Sequence, residues 1–159
     1  MIHVVLLEPE IPQNTGNIAR TCAAVGAVLH LIEPLGFSLE DKYMKRAGLD
    51  YWDSLEVHIH ENLGEFYEKN PGAEPYLFTK KASHVYSEVS YPGDVYLMFG
   101  RESVGLPETL LEEHPERCLR MPMKEGLRSL NLSNAVAIAV YEVLRQQGFP
   151  GLAASFEGK

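Results

Sequence analysis

Positive charge is what this sequence is short of. Fourteen Lys and Arg stand against 22 Asp and Glu, a formal net charge of -8 at pH 7. That balance excludes a general nucleic-acid coat, because non-specific phosphate binding runs on surplus cations, but it leaves room for a local basic patch. Cysteine is nearly absent too. Cys22 and Cys118 lie far apart in apolar contexts, the pattern of two buried thiols in a reduced compartment rather than a disulfide or metal site. No apolar run approaches the roughly 20 residues needed to span a bilayer, and the first ten residues lack a signal-peptide pattern. The expectation is a cytoplasmic protein with no membrane partner. Common ligand-binding spellings are missing as well. No G-x-G-x-x-G follows the first apolar run. Gly100 and Gly105 have the spacing of a phosphate loop, but Leu106-Pro107 stands where Lys and Ser/Thr should follow. Ser103, in G-x-x-S-x-G, is one residue out of place for a nucleophile elbow.

What is present reads as one α/β domain over residues 1–159, with 150–159 a loose tail. At 45% hydrophobic and 23% charged residues, such a chain buries roughly two-thirds of its unfolded surface. Short apolar runs at 3–7, 28–32, 57–59, 76–79, 95–99 and 118–121 predict strands. Helical patterns fall at 14–25, 38–47, 63–69 and 107–113. Asn14 or Thr15 is expected to cap the first of these and Gly26 to close it; a Ser cap and Gly48 bound the second. The alternation implies a mostly parallel sheet with flanking helices.

The strongest helical pattern follows Arg128-Ser129-Leu130-Asn131-Leu132-Ser133-Asn134. Leu132, Val136, Ala139, Val140, Val143 and Leu144 recur as one apolar stripe, Asn131 or Ser133 can cap the first turn, and Gly148 stops it. The crowded polar entry fits either an overbuilt cap or the floor of a ligand pocket. In parallel sheets ligands sit beyond the carboxyl ends of strands, and four predicted loops there are rich in glycine and polar residues. They begin after Leu7, Phe78, Phe99 and Met121. Two other features have plainer readings. His58-x-His60 places two imidazoles on one strand face, a metal pair or, more simply, a solvated face, since no further ligand cluster completes a site. Tyr51-Trp52 either stacks on a base or packs the lone Trp.

Three stretches then identify a resemblance. The helix-entry run Pro9-Glu10-Ile11-Pro12-Gln13-Asn14-Thr15-Gly16-Asn17-Ile18-Ala19-Arg20, the loop Phe99-Gly100-Arg101-Glu102-Ser103-Val104-Gly105-Leu106-Pro107, and the stretch from Arg128 into Ala135-Val136-Ala137 resemble the signature motifs of SPOUT-class RNA 2′-O-ribose methyltransferases. Within that class the chain resembles the small tRNA cytidine/uridine-34 group over nearly its whole length. The resemblance implies an α/β-knot fold with a C-terminal trefoil knot, which segment reading does not supply because knots are nearly absent from ordinary topologies. It also implies a homodimer, S-adenosyl-methionine as methyl donor, no metal, and the wobble ribose in the tRNA anticodon stem-loop as acceptor. The separate RNA-binding domain of larger relatives is missing, so substrate capture is expected of the catalytic domain itself.

On this resemblance, Phe78, Thr79, Gly100, Met121, Ser129, Leu130 and Asn131 are the expected cofactor contacts. Arg20 is the expected catalytic residue, one turn beyond the Asn14-Thr15-Gly16 loop, with Asn14, Asn17 and Glu102 orienting it or meeting the substrate. A guanidinium stays protonated, so Arg20 suits binding a phosphate or the reacting oxygen rather than acting as base. Lys42, Lys45, Arg46, Lys80 and Lys81 are the expected RNA contacts, and Tyr141 a dimer contact. The alternatives are methylation at another tRNA position or on ribosomal RNA, or a non-catalytic RNA-binding protein of the same fold.

Overall fold

The computed structural model describes residues 1–47 and 52–156. Along the chain run β1 (Ile2–Leu7), α1 (Pro12–Val25), β2 (Val28–Ile32), α2 (Lys42–Ala47), β3 (Val57–His60), α3 (Leu63–Lys69), β4 (Tyr76–Phe78), β5 (His84–Val85), β6 (Val95–Phe99), α4 (Glu108–Glu113), β7 (Cys118–Arg120) and α5 (Leu132–Gln147). The strands form one sheet in the order β3-β2-β1-β6-β4-β7-β5, every described pair parallel. β5 has no counterpart among the expected strands, since two residues leave no periodicity to read. Its only described strand neighbour is β7, which comes later in the chain yet sits between β4 and β5.

Helices cover both faces. Val4 and Leu6 of β1 join Ile18 and Cys22 of α1 and Val136 and Val140 of α5 in one core cluster. Val5 and Leu7 join Phe66 of α3 and Leu110 of α4 in the other. This two-sided burial is why β1 reads as an unbroken apolar run. Each fully buried aliphatic side chain contributes on the order of 1.5–3 kcal/mol, so a central strand is anchored without special chemistry. Cys22 and Cys118 are free and buried, and burial pushes the Cys22 thiol up to about 12.

Helix ends refine the expected boundaries. α1 starts at Pro12 rather than Asn14, because proline presets helical φ and has no N–H to leave unpaired in the first turn. Asn14 and Thr15 are therefore buried helix residues and not caps. Gly26 ends α1 at φ 75 as expected. α2 starts at Lys42, not at 38: Ser38 Oγ accepts from the Glu40 N–H at 3.1 Å and Asp41 Oδ1 from the Tyr43 N–H at 2.8 Å, local turns that hold 38–41 out of the helix. Its expected stop at Gly48 lies outside the described residues. α5 buries Val136, Ala139, Val140, Val143 and Leu144, and Leu132 is half-buried. Trp52 packs against the α1/α5 core cluster, while Tyr51 lies outside the described residues.

The histidine pair divides. His58 is exposed, 2.7 Å from Glu56, but His60 is 1% exposed. Parallel register sets His3, His30, His58 and His60 on one sheet face, and the three strands supply a hydrogen-bonded chain of imidazoles. The solvated-face expectation fails for His60 because Phe66 packs edge-on over it and over His30. Among the described residues no group of three or more His, Cys, Asp or Glu is placed to hold a metal ion. No helix among them is long and apolar enough to cross a membrane.

Candidate active site

The loops after β1, β4, β6 and β7 converge on one cleft of about 810 Å³ at the carboxyl ends of these strands. Phe78, Thr79, Gly100, Met121, Ser129, Leu130 and Asn131 all line it. The volume falls in the range of small-molecule sites, and the apolar wall of Phe78, Phe99, Leu119, Met121 and Leu130 beside a polar and charged rim suits an adenine-bearing ligand. Phe78 and Phe99 stack at 4.5 Å and 15°, giving one wall an aromatic backing. Ser129 and Leu130, both exposed, line the cleft as well. These residues fit S-adenosyl-methionine.

Three of the seven carry structural duties besides lining the cleft, the first of them the cap expected of Asn131 or Ser133. Asn131 caps α5: its Oδ1 accepts from the Ser133 N–H at 2.9 Å, the Asn134 N–H at 3.3 Å and the Ser133 hydroxyl at 2.6 Å. Its side-chain oxygen is thus committed to the helix, while the residue also lines the cleft. Thr79 Oγ1 accepts from the Lys81 N–H at 3.1 Å and so shapes the turn after β4. Gly100 has its reason inside its own loop. A Cβ there would lie 2.1 Å from the Gly105 carbonyl carbon and 2.3 Å from the Leu106 nitrogen. The loop folds back on itself, bridged by Arg101 and Gly105, and Gly105 takes φ 72.

Glu102 is bonded to the segment that leads into the helix carrying Arg20. Its carboxylate reaches across to the entry of α1, accepting from the Glu10 N–H at 2.9 Å, the Ile11 N–H at 2.8 Å and Asn14 Nδ2 at 3.3 Å. Ile11 holds the N-cap position without a capping side chain, and Glu102 takes its N–H from afar, as the Glu at N3 of a capping box would do locally. Glu10 answers in the opposite direction: its Oε1 accepts from the Ser103 N–H at 2.9 Å and the Ser103 hydroxyl at 2.7 Å. These two bonds hold the Glu10 carboxyl below the usual carboxylate range. Asn14 lines the cleft, 5% exposed, with its amide given to Glu102.

Arg20 lies apart from the cleft. Because Asn14-Thr15-Gly16 is helix rather than loop, Arg20 sits about two turns into α1 instead of one turn beyond a loop. It lines a second groove, of about 380 Å³, with Asn17, Thr21, Ala24, Ser133, Asn134, Ala137 and Tyr141. Arg20 is exposed, and Tyr141 is 49% exposed on α5.

The expected RNA contacts separate. Lys81 lines the cleft and is ion-paired with Glu108. Lys42 and Arg46 are exposed on α2, away from both grooves, and the Lys42 ammonium stands 5.1 Å over the Tyr43 ring. The Lys45 side chain lies outside the described residues. Lys80, expected beside Lys81 in the phosphate-contacting patch, lines the cleft with it; sequence reasoning passed over Arg101 and Arg128, which line the cleft as well. Arg101 and Arg128 stand inside two of the signature motifs, and that position was the available signal.

Comparisons with known proteins agree with this geometry. Residues 1–141 match the SpoU rRNA Methylase family. A tRNA (cytidine(34)-2′-O)-methyltransferase of Escherichia coli K12 is 48% identical over 152 residues, covering 95% of this chain and 97% of that protein. A solved structure described as giving insights into the 2-OH methylation of C/U34 on tRNA superposes with a TM-score of 0.89 at 47% identity, covering 93% of this chain and 97% of that one. An AdoMet-bound rRNA methyltransferase from Sinorhizobium meliloti superposes with a TM-score of 0.80 at 26% identity over 91% of this chain and 56% of that one. A parallel sheet flanked by helices, one cleft built from all three signature motifs, and matches over nearly the full length lead to one conclusion: the chain belongs to the SpoU rRNA methylase family.

Proposed function

We propose that this protein transfers a methyl group from S-adenosyl-methionine to the ribose 2′-hydroxyl of the wobble nucleotide, cytidine or uridine 34, in the anticodon stem-loop of tRNA. The observation that carries this reading is the single cleft into which all three signature loops fall. The near-full-length likeness to the Escherichia coli enzyme supports the choice of substrate. When bound, S-adenosyl-methionine supplies a methyl group already activated on sulfur, so this chain's tasks are binding, orientation and help to the attacking oxygen. Orientation alone is worth roughly 7–11 kcal/mol of barrier. Phe78, Met121 and Leu130 give the adenine apolar contact, and backbone groups near Gly100 and Ser129 give it edge contacts. Arg20 is the catalytic residue, its guanidinium fork meeting the substrate phosphate or the 2′-oxygen as negative charge develops there.

Two further features belong to this reading. Within one chain Arg20 and the cleft occupy different grooves, which supports a homodimer in which α1 and α5 face a second copy, with Tyr141 in contact. The placement of the late strand β7 between β4 and β5 supports a trefoil knot at the C-terminal part of the domain. A tRNA substrate and two reduced thiols suit a cytoplasmic setting. The test is transfer of labelled methyl from S-adenosyl-methionine into total RNA, followed by mapping of the modified nucleotide. Label at the 2′-oxygen of tRNA position 34 is expected. Label in ribosomal RNA would favour the substrate in the family's description, and no transfer at all would favour a non-catalytic RNA-binding role.

A further inference from the structure

Glu10 and Glu102 cross between two loops, each carboxylate accepting hydrogen bonds from the backbone of the other's segment. One loop, after β6, lines the cleft with Gly100, Arg101, Glu102, Ser103 and Val104. The other, after β1, runs without interruption into α1, which carries Arg20. A third loop fixes Glu10 from behind. The Gly36 N–H donates to Pro9 O at 2.9 Å, and a Cβ on Gly36 would lie 2.8 Å from Glu10 Cα. Upstream, Glu8 holds φ 54, a conformation that costs a non-glycine residue energy and persists only where surroundings enforce it. The backbone at Glu10 is thus constrained from three sides, while its side chain reaches out to Ser103 at the surface.

The core does not require this side chain. Glu10 and Ser103 belong to neither core cluster, and their hydrogen bonds lie at the exposed rim. What the pair does is join the loop that holds cofactor to the helix that carries the catalytic arginine. On the functional reading above, we propose that Glu10, through Ser103 and the reciprocal bonds of Glu102, is a positioning residue for methyl transfer, coupling occupation of the cleft to the placement of α1. Cofactor contacts that settle the loop 100–105 settle Ser103, Ser103 settles Glu10, and Glu10 sets the first turn of α1 against the cleft. Carboxylate acceptors suit this role because charged hydrogen bonds are shorter and stronger than neutral ones.

The test uses the full-length protein with Glu10→Ala, Glu10→Gln and Ser103→Ala. Amide hydrogen exchange with and without S-adenosyl-methionine reads the coupling directly and needs no catalysis. In the wild type, cofactor should slow exchange in the first turn of α1 as well as in the loop 100–105. In Glu10→Ala the loop should still respond while the α1 response weakens, since only the Glu102 bonds to the helix entry are left to carry it. Single-turnover methylation of tRNA should fall about tenfold or more in Glu10→Ala, approaching the ~100-fold that ångström-scale misplacement costs. Cofactor affinity should stay within about twofold, a split between binding and chemistry that a merely structural role does not produce. Glu10→Gln should retain most activity, since its amide oxygen still accepts from Ser103. The double variant Glu10→Ala/Ser103→Ala should be no slower than Glu10→Ala alone. Retention of the full α1 response in Glu10→Ala, or loss of cofactor affinity and rate together, would overturn the proposal. Failure of the wild type to methylate tRNA would instead count against the functional reading and leave the exchange result to stand or fall alone.

Discussion

His60 Nε2 lies 3.0 Å from His30 Nδ1, while the Nδ1 of His60 is buried with no hydrogen-bond partner among the described residues. On its other side, His30 Nε2 is 2.9 Å from His3 Nδ1. A neutral imidazole has one donor and one acceptor, so the chain must run in a single direction. Donation from His60 to His30 to His3 leaves a bare acceptor at the dry end, and the reverse leaves a buried N–H, the rarer defect. A proton on His30 would make it a double donor and force that reversal. Burial first, then the neighbouring imidazoles, push His30 down to about 3, and burial lowers His3 and His60 as well.

The consequence is a loss of stability in acid. These folded-state values lie below the unfolded value near 6.5, so the unfolded chain takes up more protons as pH falls. Stability is full above about pH 6.5 and declines from there towards about pH 3. Urea midpoints measured near pH 7.5 and near pH 5 should differ clearly, and His30→Phe should flatten the dependence even if it shifts the midpoint itself. Equal midpoints at the two pH values would dismiss the imidazole chain as a titrating element.

Arg20→Ala should leave affinity for S-adenosyl-methionine nearly unchanged, because Arg20 does not line the cleft. Methyl transfer should fall by at least ~100-fold, the scale of losing one oriented donor to developing charge. Arg20→Lys should rescue only in part, since an ammonium lacks the planar fork. Calorimetry and single-turnover kinetics separate the two effects. A wild-type rate in Arg20→Ala would remove the residue from the mechanism.

Gly100→Ala should damage the cleft from within. The added methyl meets backbone atoms of Gly105 and Leu106 rather than a movable side chain. Displacing that backbone should weaken cofactor binding by about tenfold or more and lower the melting temperature by a few degrees, roughly 2–4 °C per kcal/mol in a chain of this size. A variant that binds cofactor normally would show that the loop has slack the packing does not suggest.

Two cationic surfaces compete for the RNA backbone, and salt dependence tells them apart. Replacing Arg101 and Arg128 by Gln at the cleft should reduce the slope of log K against log salt by about 1.4–1.8, at roughly 0.7–0.9 for each phosphate no longer neutralised. Replacing Lys42, Lys45 and Arg46 on α2 tests the surface expected from sequence in the same way. Filter binding with tRNA at several salt concentrations suffices, and an unchanged slope removes the corresponding group from the interface.

Most of this architecture was legible because it follows from local rules. β6 and α3 fall where alternation and spacing placed them, and Gly26 and Gly148 end helices in the left-handed conformation that glycine favours. What escaped depends on distant partners. Nothing near Ile11 says that α1 is capped by Glu102, ninety-one residues on, and nothing in Gly100 says that the obstacle is Gly105 backbone rather than a ligand. His60 looked solvated because α3, which covers it, enters only in three dimensions. The seven expected cofactor positions came together, but that Arg20 lines a different groove was not legible, because a motif records co-occurrence and not which groove a residue faces.

The insertion of β7 between β4 and β5 has a consequence for when the protein becomes competent. β5 is two residues long and, among the described residues, has no neighbouring strand until β7 arrives. The same late segment leads to Met121, Met123 and residues 128–132, which close the cleft. A nascent chain that stops short of Cys118 lacks both α5, which covers one face of β1 and β6, and a complete cradle for a methyl donor. Ligand capture is therefore postponed to the final act of folding, and a half-made copy cannot sequester the cell's cofactor.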